Sequence, residues 1–119
     1  MIYAFLGIAI GLVLGSMSKL AIPLIYAHYT AVVILGMLDA ICGAIRSDIV
    51  EKHFDKTVFL SGLFFNAALA IGITYLGESL GLNLYLAATV VFTFRIFQNV
   101  GATRRVLLDR FIQKKANKK

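Results

Sequence analysis

The run from Leu84 to Asn99, LYLAATVVFTFRIFQN, constrains the chain more than any other stretch. It is apolar enough to enter a bilayer, yet it carries Arg95, Gln98 and Asn99 before any turn signal arrives. A charged side chain inside a membrane span costs on the order of 3 kcal/mol on insertion scales, so it needs a partner or water. Asp39 is the one acid inside any of the apolar runs and is the natural partner. The sequence therefore reads as a small multi-span membrane protein with a polar spot in its core.

Composition agrees, because 60% apolar residues, a mean hydropathy of +0.85 and 15% charged residues do not suit a soluble domain of 119 residues. The net charge of +6 is concentrated at the C-terminus, where Arg104, Arg105, Arg110, Lys114, Lys115, Lys118 and Lys119 face the single acid Asp109. The lone cysteine, Cys42, permits no intrachain disulfide and reads as a small packing residue.

Four spans follow from the runs and their breaks. Met1 to Met17 has no base ahead of it and reads as an uncleaved span, not as a secretory leader. Its Gly7, Gly11 and Gly15 repeat every four residues, a stripe that lets another backbone approach closely in lipid. Lys19 and Pro23 break the chain, since proline lacks the amide hydrogen a helix needs. The second span covers about Thr30 to Ile45, with Gly36, Ala40 and Ala44 on one face and Asp39 and Gly43 on a neighbouring one. The charged segment Arg46 to Thr57 carries Ile49, Val50 and Phe54, which would share one side of a short surface helix. The third span, Val58 to Leu76, aligns Gly62, Asn66 and Ala70, and Gly77 to Asn83 makes a turn. The fourth ends near Val100. The expected fold is thus an all-α membrane protein with four transmembrane helices, residues 1–102, and a basic amphipathic tail, residues 103–119.

Bases fix the expected orientation, because loops rich in Lys and Arg stay cytoplasmic. Both termini and the Arg46–Thr57 loop fall inside, and Tyr26, Tyr29, Tyr75 and Tyr85 fall at the outer interface. Counting 1.5 Å per residue from the cytoplasmic ends puts Asp39 about 10 Å deep and Asn66 and Arg95 about 13 Å deep. Three polar groups from three helices share one level. Arg95 can present its planar fork to Asp39, with Asn66, Gln98 or Asn99 satisfying the remaining donors and lone pairs. Such a cluster fixes helix register, serves as a proton or cation relay, or binds a partner helix or lipid headgroup. His28 and His53 read as an interfacial and a solvated histidine, since no second His or Cys completes a metal site. In the tail, Leu107, Leu108, Phe111 and Ile112 share a face; either it lies on the cytoplasmic leaflet, with Arg104, Arg105, Arg110, Lys114 and Lys115 meeting anionic headgroups or a partner, or the tail serves only to fix topology.

No catalytic set, phosphate-binding loop or metal spacing is present in the sequence, so neither an enzyme nor a cofactor is expected. Without aromatic interleaving in the basic tail, nucleic acid is not an expected partner either.

The segments LDAICGAIR (Leu38 to Arg46), LSGLFFN (Leu60 to Asn66) and LGESLGLNLYLAATVVFTFRIFQN (Leu76 to Asn99), followed by Arg104 and Arg105, resemble the small basic protein family of bacterial membrane proteins. The likeness departs from the family pattern at Ala44, where a glycine is usual, and at Asn83, where an acid is usual. It implies a bacterial plasma-membrane protein of unknown function, encoded beside cell-division genes. Together with the residues, this gives the expectation of a non-enzymatic interaction or scaffold protein linked to division or envelope assembly, forming a homo-oligomer or binding other membrane proteins. The competing expectation is a small ion or solute transporter or channel subunit using Asp39 and Arg95.

Overall fold

The computed structural model describes residues 2–118, apart from the side chain of Ala4. Met1 and Lys119, the latter counted above among the tail bases, lie outside the described residues. The chain is helical throughout, with α1 at Ile2–Met17, α2 at Ala27–Ile49, α3 at Lys56–Leu80 and α4 at Leu84–Asn117. Three of these are long and apolar enough to cross a membrane: α2 with the single 3₁₀ turn Leu24–Tyr26 that leads into it (26 residues), α3 (25 residues) and α4 (34 residues).

Local chemistry sets the ends. Pro23 stands just before the 3₁₀ turn, where its missing N–H is not needed. Asp55 caps α3, its carboxylate accepting from the backbone N–H of Thr57 at 2.8 Å and of Val58 at 3.4 Å. Such a cap contributes about 1 kcal/mol. At the other end Gly81 takes φ +69°, and the Leu82 N–H donates to the Gly77 carbonyl at 2.8 Å while that of Gly81 donates to Glu78. That pair of bonds closes the last turn of α3 and needs glycine in the left-handed region. Gly77 therefore belongs to the helix, and the turn expected to open there begins four residues later.

The bundle is α2, α3 and α4, with α2 packed against both others. Its core is small: Val32, Ala70, Ala88 and Phe92, with Leu35, Ile73 and Tyr85 around them. Lipid offers no hydrophobic drive between helices, so small residues let backbones close up. At Gly36 an added Cβ would sit 3.4 Å from the Phe92 ring and 3.5 Å from the Asn66 carbonyl oxygen. The buried face of α2 follows Val32, Gly36 and Asp39, so Gly36 shares the side of Asp39 and not the separate face expected from the Gly36, Ala40, Ala44 repeat. Large apolar side chains such as Phe64, Phe97 and Val90 point outward and are exposed, as in a chain whose solvent is lipid.

Several expectations change. The Arg46–Thr57 segment forms no separate surface helix: α2 continues to Ile49, and the chain turns through Lys52 at φ +53° before α3. The tail is helical, because α4 runs unbroken from the apolar run to Asn117, with no proline to stop it. A Cβ added at Gly7, Gly11 or Gly15 would meet nothing within 4 Å among the described residues, and the same holds for Gly62. The bundle closes through Gly36, Gly43 and Gly77 instead, leaving α1 at its edge and Gly62 beside an open cleft.

Candidate functional site

The site lies midway along the bundle, where each helix turns one stripe towards its neighbours. On α4 that stripe is Ala88, Phe92, Arg95, Asn99 and Thr103, spaced by three and four residues as a helix face requires. Asp39 is the focus. Its side chain has no exposure, its Oδ2 accepts from Asn66 Nδ2 at 3.2 Å, and Arg95 Nη1 lies 3.3 Å from the same oxygen. The planar fork expected of Arg95 is not used: one nitrogen makes the contact, and the side chain is 53% exposed. Both donors thus converge on Oδ2, while Oδ1 is buried without a hydrogen-bond partner among the described residues.

Gln98 falls off the inward stripe and is exposed, so it takes no part in the cluster. Asn99 belongs to a second contact one turn along α4, where its Oδ1 accepts from Arg46 Nη1 at 3.1 Å. Gly43 lies beside it, where an added Cβ would make an ordinary van der Waals contact with Asn99 Nδ2 at 3.7 Å. Arg46 was readable from its position seven residues after Asp39, which returns it to the same face. A third contact joins Arg110 Nη2 to the Ile49 carbonyl at 2.6 Å, using an acceptor at the end of α2. Arg104, Arg105, Lys114 and Lys115 are exposed.

The opposite end is held by other chemistry. The Tyr29 hydroxyl donates to Glu78 Oε2 at 2.8 Å, and the His28 ring stacks on Tyr85 with centroids 3.9 Å apart and 11° between planes. Buried hydroxyls are satisfied within their own helices, Thr74 donating to the Ala70 carbonyl and Thr103 to that of Asn99, each at 2.8 Å. Among the described residues no three His, Cys, Asp or Glu side chains gather closely enough to hold a metal ion.

Two hollows adjoin these contacts. One, of about 320 Å³, begins at Asp39 and Arg95 and opens beside the α2–α3 loop. The other, about 460 Å³ and almost wholly apolar, lies between Phe5 and Ile8 of α1 and the second halves of α2 and α4, with Arg104 at its edge. The second hollow shows how α1 meets the bundle: by its first turns, across a gap, with Ile8 half-buried.

Residues 22–108 match the family described as "Protein of unknown function (DUF1290)". The chain belongs to this family. It is 42% identical over 114 residues to the "Small basic protein" of Bacillus subtilis, covering 96% of this chain and 93% of that protein. It is also 36% identical over 102 residues to uncharacterized proteins of Mycobacterium bovis and Mycobacterium tuberculosis, covering 84% of each chain. No solved structure matches the chain. The matched range spans the Asp39 cluster, the Arg46–Asn99 contact, α2, α3 and α4 as far as Leu108, and leaves out α1 and the end of α4.

Proposed function

We propose that this protein is a non-enzymatic integral protein of the bacterial plasma membrane that works by assembly, with itself or with another membrane protein of the division or envelope machinery. The observation that carries this reading is the unoccupied glycine face of α1. Gly7, Gly11 and Gly15 line one side of an apolar helix, and a Cβ added at any of them would meet nothing within 4 Å among the described residues. Close approach of a second backbone to such a stripe is a main source of helix association in lipid. The resemblance to a family encoded beside division genes supplies the envelope setting. In this reading α1 is the fourth span, and both termini lie in the cytoplasm.

The intact mass of the complex in nanodiscs tests it. A defined oligomer or a stable complex with an envelope protein is expected, and Gly11→Leu should abolish it while leaving the α2–α4 bundle folded, since Gly11 touches nothing there. A monomer without partner, or an undiminished complex in the Gly11 variant, would count against assembly through α1.

The bases of α4 are read as two sets. Leu84 to Arg104 spans about 30 Å along the helix, the thickness of the hydrocarbon core, so Arg104 and Arg105 fall at headgroup level. Lys114 and Lys115 stand about 15 Å further out, beyond a Debye length of about 8 Å. Native mass spectra from mixed phosphatidylglycerol and phosphatidylcholine discs should then show phosphatidylglycerol retention falling by about thirtyfold in Arg104→Gln/Arg105→Gln, at about 1 kcal/mol per base. Lys114→Gln/Lys115→Gln should change it little. Equal losses from both pairs would place the whole tail on the leaflet.

A further inference from the structure

We infer that the cleft ending at Asp39 is a hydrated vestibule that admits monovalent cations of the ammonium class to the free carboxylate oxygen. This stands apart from assembly through α1, because no described residue of α1 lines the cleft.

The first observation is Asp39 Oδ1. Asp39 lines the cleft and is 1% exposed, and its buried Oδ1 has no hydrogen-bond partner among the described residues. A buried acceptor left in that state costs about 1–3 kcal/mol, more for a charged group, so it takes a donor when one can reach it. The second is access. From Asp39 to Ser47, both on its wall, is about 12 Å along α2, and beyond Ser47 the wall passes to the exposed loop residues Glu51 and His53. At about 320 Å³ the space holds several waters, each of which needs on the order of 30 Å³.

The third is charge. The walls carry the carboxylates of Asp39, Glu51 and Asp55 against the single guanidinium of Arg95. A cleft of one dominant sign between low-dielectric helices concentrates counter-ions. An anion is thus disfavoured, and a divalent metal lacks its ligands, since no group of three metal-binding side chains exists among the described residues. What the free oxygen accepts is an N–H or O–H. An ammonium group supplies both the charge and the donor, and Gly62 opposite keeps the passage open by contributing no side chain.

Thiol labelling in nanodiscs, where both faces of the bilayer are accessible, tests this. Cys42, which lines the other hollow, is first replaced by alanine. Gly62→Cys then places a thiol in the cleft without a clash, and Leu60→Cys, at a half-exposed position outside it, serves as the lipid-side control. With rates normalised to free cysteine, Gly62→Cys should react more than about tenfold faster with a trimethylammonium thiosulfonate than with a sulfonate one. Leu60→Cys should hardly react with either. Adding Asp39→Asn should bring the ratio towards one, and so should Glu51→Gln, a change at the exposed mouth that leaves the bundle core untouched. Ammonium chloride should slow the labelling, whereas tetramethylammonium chloride at equal ionic strength, which has no N–H, should not. Labelling of Gly62→Cys no faster than of Leu60→Cys would mean a dry cleft. A ratio near one, a ratio indifferent to both acid variants, or equal protection by the two salts would also overturn the inference.

Discussion

Replacing Arg95 by leucine is expected to destabilise the bundle by about 3 kcal/mol, the low end of the range for breaking a buried ion pair. The reason is the asymmetry of the pair. Asp39 has no exposed side-chain surface, so without Arg95 a full negative charge stays inside the bundle with Asn66 as its single donor. Asp39→Leu should be much milder, at about 1 kcal/mol or less, because Arg95 is 53% exposed and its long stem can carry the guanidinium towards water or headgroups. The double variant should then resemble Asp39→Leu and not the sum of the two. Unfolding titrations in mixed micelles give all three values. Equal costs for the two single variants would mean that the pair is held by geometry common to both partners and not by the buried carboxylate.

Gly77→Ala is expected to be comparably severe, at about 2–3 kcal/mol, although only one methyl is added. Its Cβ would stand 2.7 Å from the Leu82 carbonyl oxygen, 2.8 Å from the Leu84 Cβ and 3.0 Å from the Leu84 nitrogen. Two of these neighbours are backbone and the third is fixed to it, so relief requires moving the α3–α4 connection itself. Gly62→Ala provides the contrast: it meets nothing, and it should be neutral or gain a few tenths of a kcal/mol, up to about 1, from helix propensity. The two variants compared in one host separate crowding from propensity. If Gly77→Ala unfolds like Gly62→Ala, the connection is looser than its contacts imply.

The shared depth of Asp39, Asn66 and Arg95 was legible because it needs only a rise per residue and a topology, and all three stand one contact apart in the structure. Rotation about each helix was harder to read. Gln98 and Asn99 are adjacent in sequence, yet one faces outward and the other holds Arg46, which depth alone does not distinguish. Glycine spacing misled for a related reason. A repeat of four marks a face that can pack, but which of several such faces is used depends on what stands opposite. Gly36 lies under Phe92, whereas Gly62 looks into the cleft. Gly77 and Gly81 were both in view as turn residues, and only the bond from the Leu82 N–H to the Gly77 carbonyl shows which of them ends α3. The pairing of Arg110 with the Ile49 carbonyl had no sequence signal, since a backbone acceptor carries no residue identity.

The continuity of α4 has a mechanical consequence. Its 34 residues make a rod of about 51 Å, anchored near one end by the stacking of His28 on Tyr85. Arg95 lies about 29 Å along that rod from Lys114, with no proline between them. A partner that grips the lysine-bearing end therefore holds a lever and a torsion shaft at once. Between that end and the stripe of Phe92, Arg95 and Asn99, the Arg110 to Ile49 bond ties the rod back to α2.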